Sequence, residues 1–205
     1  MTWTFDFEMP TTKLKDQDLT DFNIHECFLW KEATTEDDLK FAADLIIDQH
    51  ATIGNDNTVK KDIRNHLIGE EIEIDAKSGS FFMLLKERIN SVNFFHYNYR
   101  LWSVEALLPC KYDENHFYKM HSDRIMQKSN VERKMTVLIG LTNESAYQGG
   151  EVIVSASGND KYSTIVRLNR GDMLFIPSFV PYSVSKIKSG SNQMLISWVL
   201  GPKFV

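Results

Sequence analysis

Residues 133–141 read RKMTVLIGL, and residues 171–178 read GDMLFIPS. Both are short apolar runs rich in β-branched or aromatic residues. Both are punctuated by glycine or proline, and both are too short for a buried helix. Working outward from them, runs of the same kind occur at 104–108, 117–121, 135–141, 151–155, 163–168, 173–176, 182–187 and 194–199. Turn pairs fall between several of these runs, at 149–150, 158–159, 171–172 and 190–191. Short strands at roughly ten-residue spacing predict a sandwich or jelly roll rather than a sheet interleaved with helices.

Before residue 101 the texture differs. Trp3, Phe5, Phe7 and Met9 alternate with polar residues and predict an opening strand. Residues 11–21 are polar and read as a loop, and 58–74 is charged without a clear period. Thr35 and Asp38 have capping-box spacing, and Leu39, Ala42, Ala43, Ile46 and Ile47 follow it at helical spacing. This predicts a helix over 35–51. Phe81, Leu84, Leu85, Ile89 and Val92 predict a second helix over 81–93. Both helices are expected to cover the outer face of the β structure. The change near residue 101 has no linker composition, so residues 1–205 read as a single domain. Its N-terminal strand and helices occupy 1–100, and its β core occupies 101–205.

Composition narrows the function classes. With 23 Lys plus Arg against 28 Asp plus Glu, the net charge is −5. That balance does not indicate a protein that grips nucleic-acid phosphates. Two cysteines, Cys27 and Cys110, are too few for a stapled scaffold. No apolar run approaches the ~20 residues that cross a bilayer. Residues 1–10 lack the basic start and apolar stretch of a signal peptide. The expected location is the cytoplasm, with no membrane partner.

His121-Ser122-Asp123 is the most informative tripeptide. On a strand, positions i and i+2 share a face, so an imidazole and a carboxylate converge. Those are two of the three groups in the facial triad of non-haem iron(II) oxygenases. A structural pair is the competing reading.

The surrounding motifs resemble those of the 2-oxoglutarate and iron(II)-dependent dioxygenases. The likeness is to the prolyl 4-hydroxylase branch, in its short bacterial and phage form. Residues 28–38, FLWKEATTEDD, resemble the family's entry into its first helix. Residues 118–123, YKMHSD, resemble its metal-binding strand, and residues 149–151, GGE, its glycine turn. Residues 133–141, 171–178 and 196–202 resemble its core and closing strands. The resemblance implies a double-stranded β-helix of the jelly-roll, cupin-like kind, mainly β with flanking helices. It implies Fe(II) and 2-oxoglutarate as cofactors, His121 and Asp123 as metal ligands, and Tyr112 beside 2-oxoglutarate. In a phage-encoded chain the location would be the host cytoplasm.

Two positions depart from the pattern. Where the family places its second ligand histidine, this chain has Tyr182, and no histidine follows His121. Where the family places the arginine that clamps the far carboxylate of 2-oxoglutarate, it has Asn192. A phenol, with a reference pKa of about 10, must lose its proton to bind a metal well. Loss of one partner of a buried ion pair costs ~3–5 kcal/mol. Lys186 and Lys188 share the parity of Tyr182. They would face the same interior and supply the missing cation if the run 182–187 stays a strand; solvated positions at a strand end are the competing reading.

The reading that follows is a degenerate dioxygenase-fold protein, a non-catalytic binding or accessory module. Its partner would be a protein, a peptide or a small molecule. The alternative is an active dioxygenase with an altered metal shell.

Overall fold

The computed structural model describes residues 26–51, 60–124, 130–155 and 163–204, together with the backbone of Trp3–Thr4. Strand β1 (Trp3–Thr4) pairs antiparallel with β6 (Ser103–Tyr112). The rest of the N-terminal alternation, the polar stretch 11–21 and the turn at 158–159 lie outside the described residues.

Two antiparallel sheets face each other. In spatial order the larger runs β2 (Phe28–Trp30), β12 (Met173–Pro177), β8 (Val131–Gly140), β15 (Asn192–Pro202), β6, β5 (Leu67–Gly69) and β3 (Ile47–His50). The smaller runs β11 (Thr164–Val166), β10 (Val152–Val154), β13 (Tyr182–Val184), β7 (Phe117–His121) and β4 (Arg64–Asn65). A two-stranded ribbon joins β14 (Ser189–Gly190) to β9 (Tyr147–Gln148). All the runs read as strands from the sequence contain strands here. The result is a mainly-β jelly roll.

The central strands of the larger sheet are apolar on both faces because both faces are buried. On β12, Met173 and Phe175 meet the helical layer, while Leu174 and Ile176 point between the sheets. On β8, Val137 and Ile139 take the first face and Leu138 the second. Helix α1 (Gly79–Val92) closes the first layer with Phe81, Phe82, Leu85, Ile89 and Val92. Asp75 fixes its entry by accepting the N–H groups of Lys77 and Ser78 at 2.8 Å each. Its end passes into a π turn, Asn93–Tyr97, and Asn98 stops it in the left-handed conformation at φ 51°.

The helix expected over 35–51 does not form. The capping box is present: the N–H of Thr35 donates to Asp38 Oδ2 at 2.8 Å, and the N–H of Asp38 donates to Thr35 Oγ1 at 3.3 Å. It is followed by a short 3-10 turn, Lys40–Asp44, after which the chain extends into β3. An isolated short helix is marginal, and here the sheet edge offers a competing ladder. Ile47 pairs with Gly69 of β5. Gly69 admits the Ile46 carbonyl so closely that an added Cβ would lie 2.3 Å from its oxygen. Ile46, expected on the buried face of a helix, is 75% exposed.

Candidate functional site

His121 ends β7, and Tyr182 begins β13 as its cross-strand partner. Asp123 lies two residues past His121, where the strand has ended. Pairing β7 with β13 therefore brings the three positions into one cluster. His121 Nδ1 lies 2.8 Å from the Lys119 carbonyl, which only accepts, so Nδ1 carries the proton and Nε2 the lone pair. Nε2 is buried, has no hydrogen-bond partner among the described residues, and lies 3.8 Å from Asp123 Oδ1. Burial lowers the pKa of this imidazole below its ordinary 6.5 and favours the neutral ring at pH 7, while the Asp123 charge opposes that shift without reversing it. Its ring lies between Tyr118 and Tyr182, with centroids at 3.6 and 4.4 Å.

The second Asp123 oxygen is occupied. Tyr182 Oη donates to Oδ2 at 2.9 Å, and Thr136 Oγ1 donates to the same oxygen at 2.8 Å. Tyr182 is 2% exposed. Burial first, and the Asp123 charge second, raise its pKa well above 10, so it remains a protonated phenol.

This geometry bears on the metal that the sequence implied. His121 Nε2 and Asp123 Oδ1 lie within the span of two bonds of about 2.1 Å to one ion. The third donor does not fit. The Tyr182 phenol keeps its proton and spends it on the carboxylate. The residues present supply two protein donors and a neutral hydroxyl rather than a three-ligand centre.

A cavity of about 420 Å³ opens beside this cluster, between the two sheets. Tyr112, Tyr118, Asp123 and Tyr182 are among the residues that line it, together with Arg64 and His66. Asn192 is Tyr112's cross-strand partner on β15 and is 1% exposed. Its Nδ2 has no hydrogen-bond partner among the described residues.

Lys186 and Lys188 do not reach the interior. Strand β13 stops at Val184, three residues short of the expected end, and the parity argument stops with it. Both lysines are exposed, and Ile187 between them is buried. The glycine turn explains the exit. At Gly149, with φ 79°, an added Cβ would lie 2.1 Å from the Lys186 carbonyl oxygen. The turn thus packs directly on the backbone leaving β13.

Several site residues were not picked out from the sequence. Thr136 was legible, because it shares the inward parity of Leu138 on β8. Arg64 and His66 lie in the charged stretch 58–74, where their two-residue spacing is the only signal. Trp198, which reads most simply as core, lines the cavity beneath the Arg133 guanidinium, 3.9 Å from its ring centroid.

Residues 108–200 match the sequence profile of the 2OG-Fe(II) oxygenase superfamily. A PKHD-type hydroxylase of Parvibaculum lavamentivorans is 23% identical over 163 residues, 79% of this chain and 72% of that protein. A PKHD-type hydroxylase of Prochlorococcus marinus is 27% identical over 97 residues, which is 47% of this chain and 42% of the relative. The match thus spans less than half of that relative's length. Among solved structures, a Pseudomonas putida prolyl-4-hydroxylase superposes with a TM-score of 0.62 at 18% identity, over 89% of this chain and 95% of that one. A Trichoplax adhaerens prolyl hydroxylase, solved with a hypoxia inducible factor peptide fragment, gives 0.64 at 16% identity, over 86% and 84%. These structural likenesses establish a shared fold.

Proposed function

We propose that this chain, a prolyl 4-hydroxylase-like member of the 2OG-Fe(II) oxygenase superfamily, is a binding module that keeps the jelly-roll cavity and no longer carries out the oxidation. The observation that carries the reading is the Tyr182–Asp123 hydrogen bond. In a working site of this family, iron(II) supplies the electrons that activate oxygen. Here the residue at the third ligand position is a buried phenol that holds its proton. Thr136 adds a second donor to the same oxygen, so the carboxylate is orientated by hydroxyl groups. The position expected to carry the cosubstrate clamp is Asn192, an uncharged amide. The proposed partner is a protein segment, a peptide or a small molecule.

The test is succinate formation from 2-oxoglutarate, with iron(II), ascorbate and oxygen supplied. The expected result is none above a protein-free control. Metal titration under anaerobic conditions should show weak iron(II) binding that Tyr182→His strengthens, because imidazole is a neutral donor near pH 7. Robust succinate release by the unmodified chain overturns the reading.

One observation favours a second reading, an active hydroxylase with an altered metal shell. The unpartnered His121 Nε2, held by the Nδ1–Lys119 hydrogen bond, is a preformed donor facing Asp123 Oδ1. The same succinate assay decides between the two.

A further inference from the structure

The larger sheet carries a second groove at its β3 edge, on the face turned away from the cavity. Pro109 lines it, while Leu108 and Cys110 on either side line the cavity, and successive residues of a strand point to opposite faces. The groove encloses about 540 Å³. Phe41, Leu45, Ile72 and Pro109 give it an apolar floor. Six carboxylates and one ammonium group, that of Lys77, surround this floor. Asp75 is engaged with the start of α1, and Glu71 has a partner of its own. Asp44, Asp48, Glu70 and Glu73 are exposed and have no ion-pair partner among the described residues.

The strand beside the groove is open. β3 ends the larger sheet, and among the described residues only β5 pairs with it, so its outer edge carries no ladder. Asp48, Gln49 and His50 are all exposed. Because successive residues alternate between faces, both faces of β3 are uncovered there. Ile46, just before the strand, is 75% exposed. The side chains at the opposite end of the sheet are covered: on β2, Phe28 stacks on His96 at 4.2 Å, and the Arg88 guanidinium carbon lies 4.6 Å from the Trp30 ring centroid. An open edge is a template for another strand. The acids select which strand. An apolar floor concentrates their field, so a cationic segment is drawn in and an acidic one is repelled.

We propose that this edge docks an extended, lysine- or arginine-rich segment of a partner protein, which adds a strand to β3 and sets its cationic side chains against the acidic rim. Main-chain hydrogen bonds to the four residues of β3 give a ladder about 13 Å long. Alternate side chains of the segment then divide between two environments. One set meets Ile46 and the apolar floor, and the other meets Asp48 and Glu70, which flank the Ile47–Gly69 pair on adjacent strands. A second copy of this chain is the wrong occupant. Its net charge is −5, and a two-fold contact through β3 would set the same acids against each other. The surface lies outside the cavity, so the proposal is independent of whether the cavity supports oxidation.

The full chain is titrated with a fluorescently labelled heptapeptide of alternating lysine and valine, blocked at both ends. Two further peptides serve as probes: one with proline in place of valine, which has the same charge and cannot form a full ladder, and one with glutamate in place of lysine. The lysine–valine peptide should bind saturably, weaken several-fold at high salt, and slow hydrogen exchange at the amides of β3. The other two should bind at least about tenfold more weakly. The double change Asp48→Lys with Glu70→Lys should weaken binding by at least about tenfold. Glu114→Lys with Glu144→Lys, the same change of net charge at exposed positions elsewhere, should have little effect. Circular dichroism establishes that each variant is folded. The proposal is overturned if the lysine–valine peptide does not bind, if the proline peptide binds as tightly, or if the folded Asp48 and Glu70 double variant binds like the unmodified chain. Protection confined to strands other than β3 overturns it as well. So does displacement of the peptide by millimolar calcium chloride at constant ionic strength, which would make the acids a cation site, or sedimentation showing that the unmodified chain pairs with itself through this edge.

Discussion

The hydroxyl of Tyr182 donates to Oδ2 of Asp123 at 2.9 Å, across 59 positions of sequence. Asp123 follows one strand of the smaller sheet and Tyr182 opens the neighbouring one, so the bond closes the sheet around His121. A carboxylate held in this way is fixed before any ligand arrives. The cluster is therefore a structural tie between β7 and β13.

The structural role is measurable. Tyr182→Phe keeps the ring and removes the donor, leaving Asp123 with Thr136 alone. Urea unfolding should show a loss of about 1–3 kcal/mol. Thr136→Val should cost a similar amount. The double change should cost more than the sum, because the carboxylate then has neither hydroxyl. Unchanged stability in Tyr182→Phe would mean that the phenol does not hold Asp123 in solution.

Stability should fall with acid through His66. Burial first, and the neighbouring Arg64 charge second, push its pKa down to about 3, from an ordinary 6.5. Between those values the unfolded chain binds a proton that the folded chain does not, so stability rises with pH across that window and is lost as pH falls. The contribution is at most about 1.4 kcal/mol per pH unit. Urea midpoints from pH 7 to pH 4 should show this slope, and His66→Phe should flatten it. Equal slopes in the two proteins would place the acid sensitivity elsewhere. His121, also shifted downward, acts in the same direction.

The segment 45–50 offers a test of the strand that replaces the expected helix. Ile46 is 75% exposed and Ile47 is 8% exposed. Ile46→Lys should change stability by no more than about 0.5 kcal/mol, as surface substitutions do. Ile47→Lys should cost several-fold more, because it buries an unpaired ammonium group. Equal, large losses in both would restore the helical reading, which puts the two isoleucines on one buried face.

The sequence by itself determined the layered β architecture. Alternation on β8 and β12 is local, and strands buried on both faces leave the signature seen in residues 133–141 and 171–178. It determined helix α1 for the same reason, since the period of Phe81, Leu85, Ile89 and Val92 needs no distant partner. It also brought out His121, Asp123 and Tyr182, through spacing on strands and resemblance to a family. Only the tertiary structure decided the fate of 35–51, where an intact capping box lost to a strand partner roughly twenty residues away. It alone showed that Lys186 and Lys188 leave the interior, because the glycine turn packs on the backbone after Val184. Partner choice at the site was decided there too. Whether Tyr182 donates to Asp123 depends on which side chains the closed sheets bring within hydrogen-bond reach, and no periodicity in the chain encodes that distance.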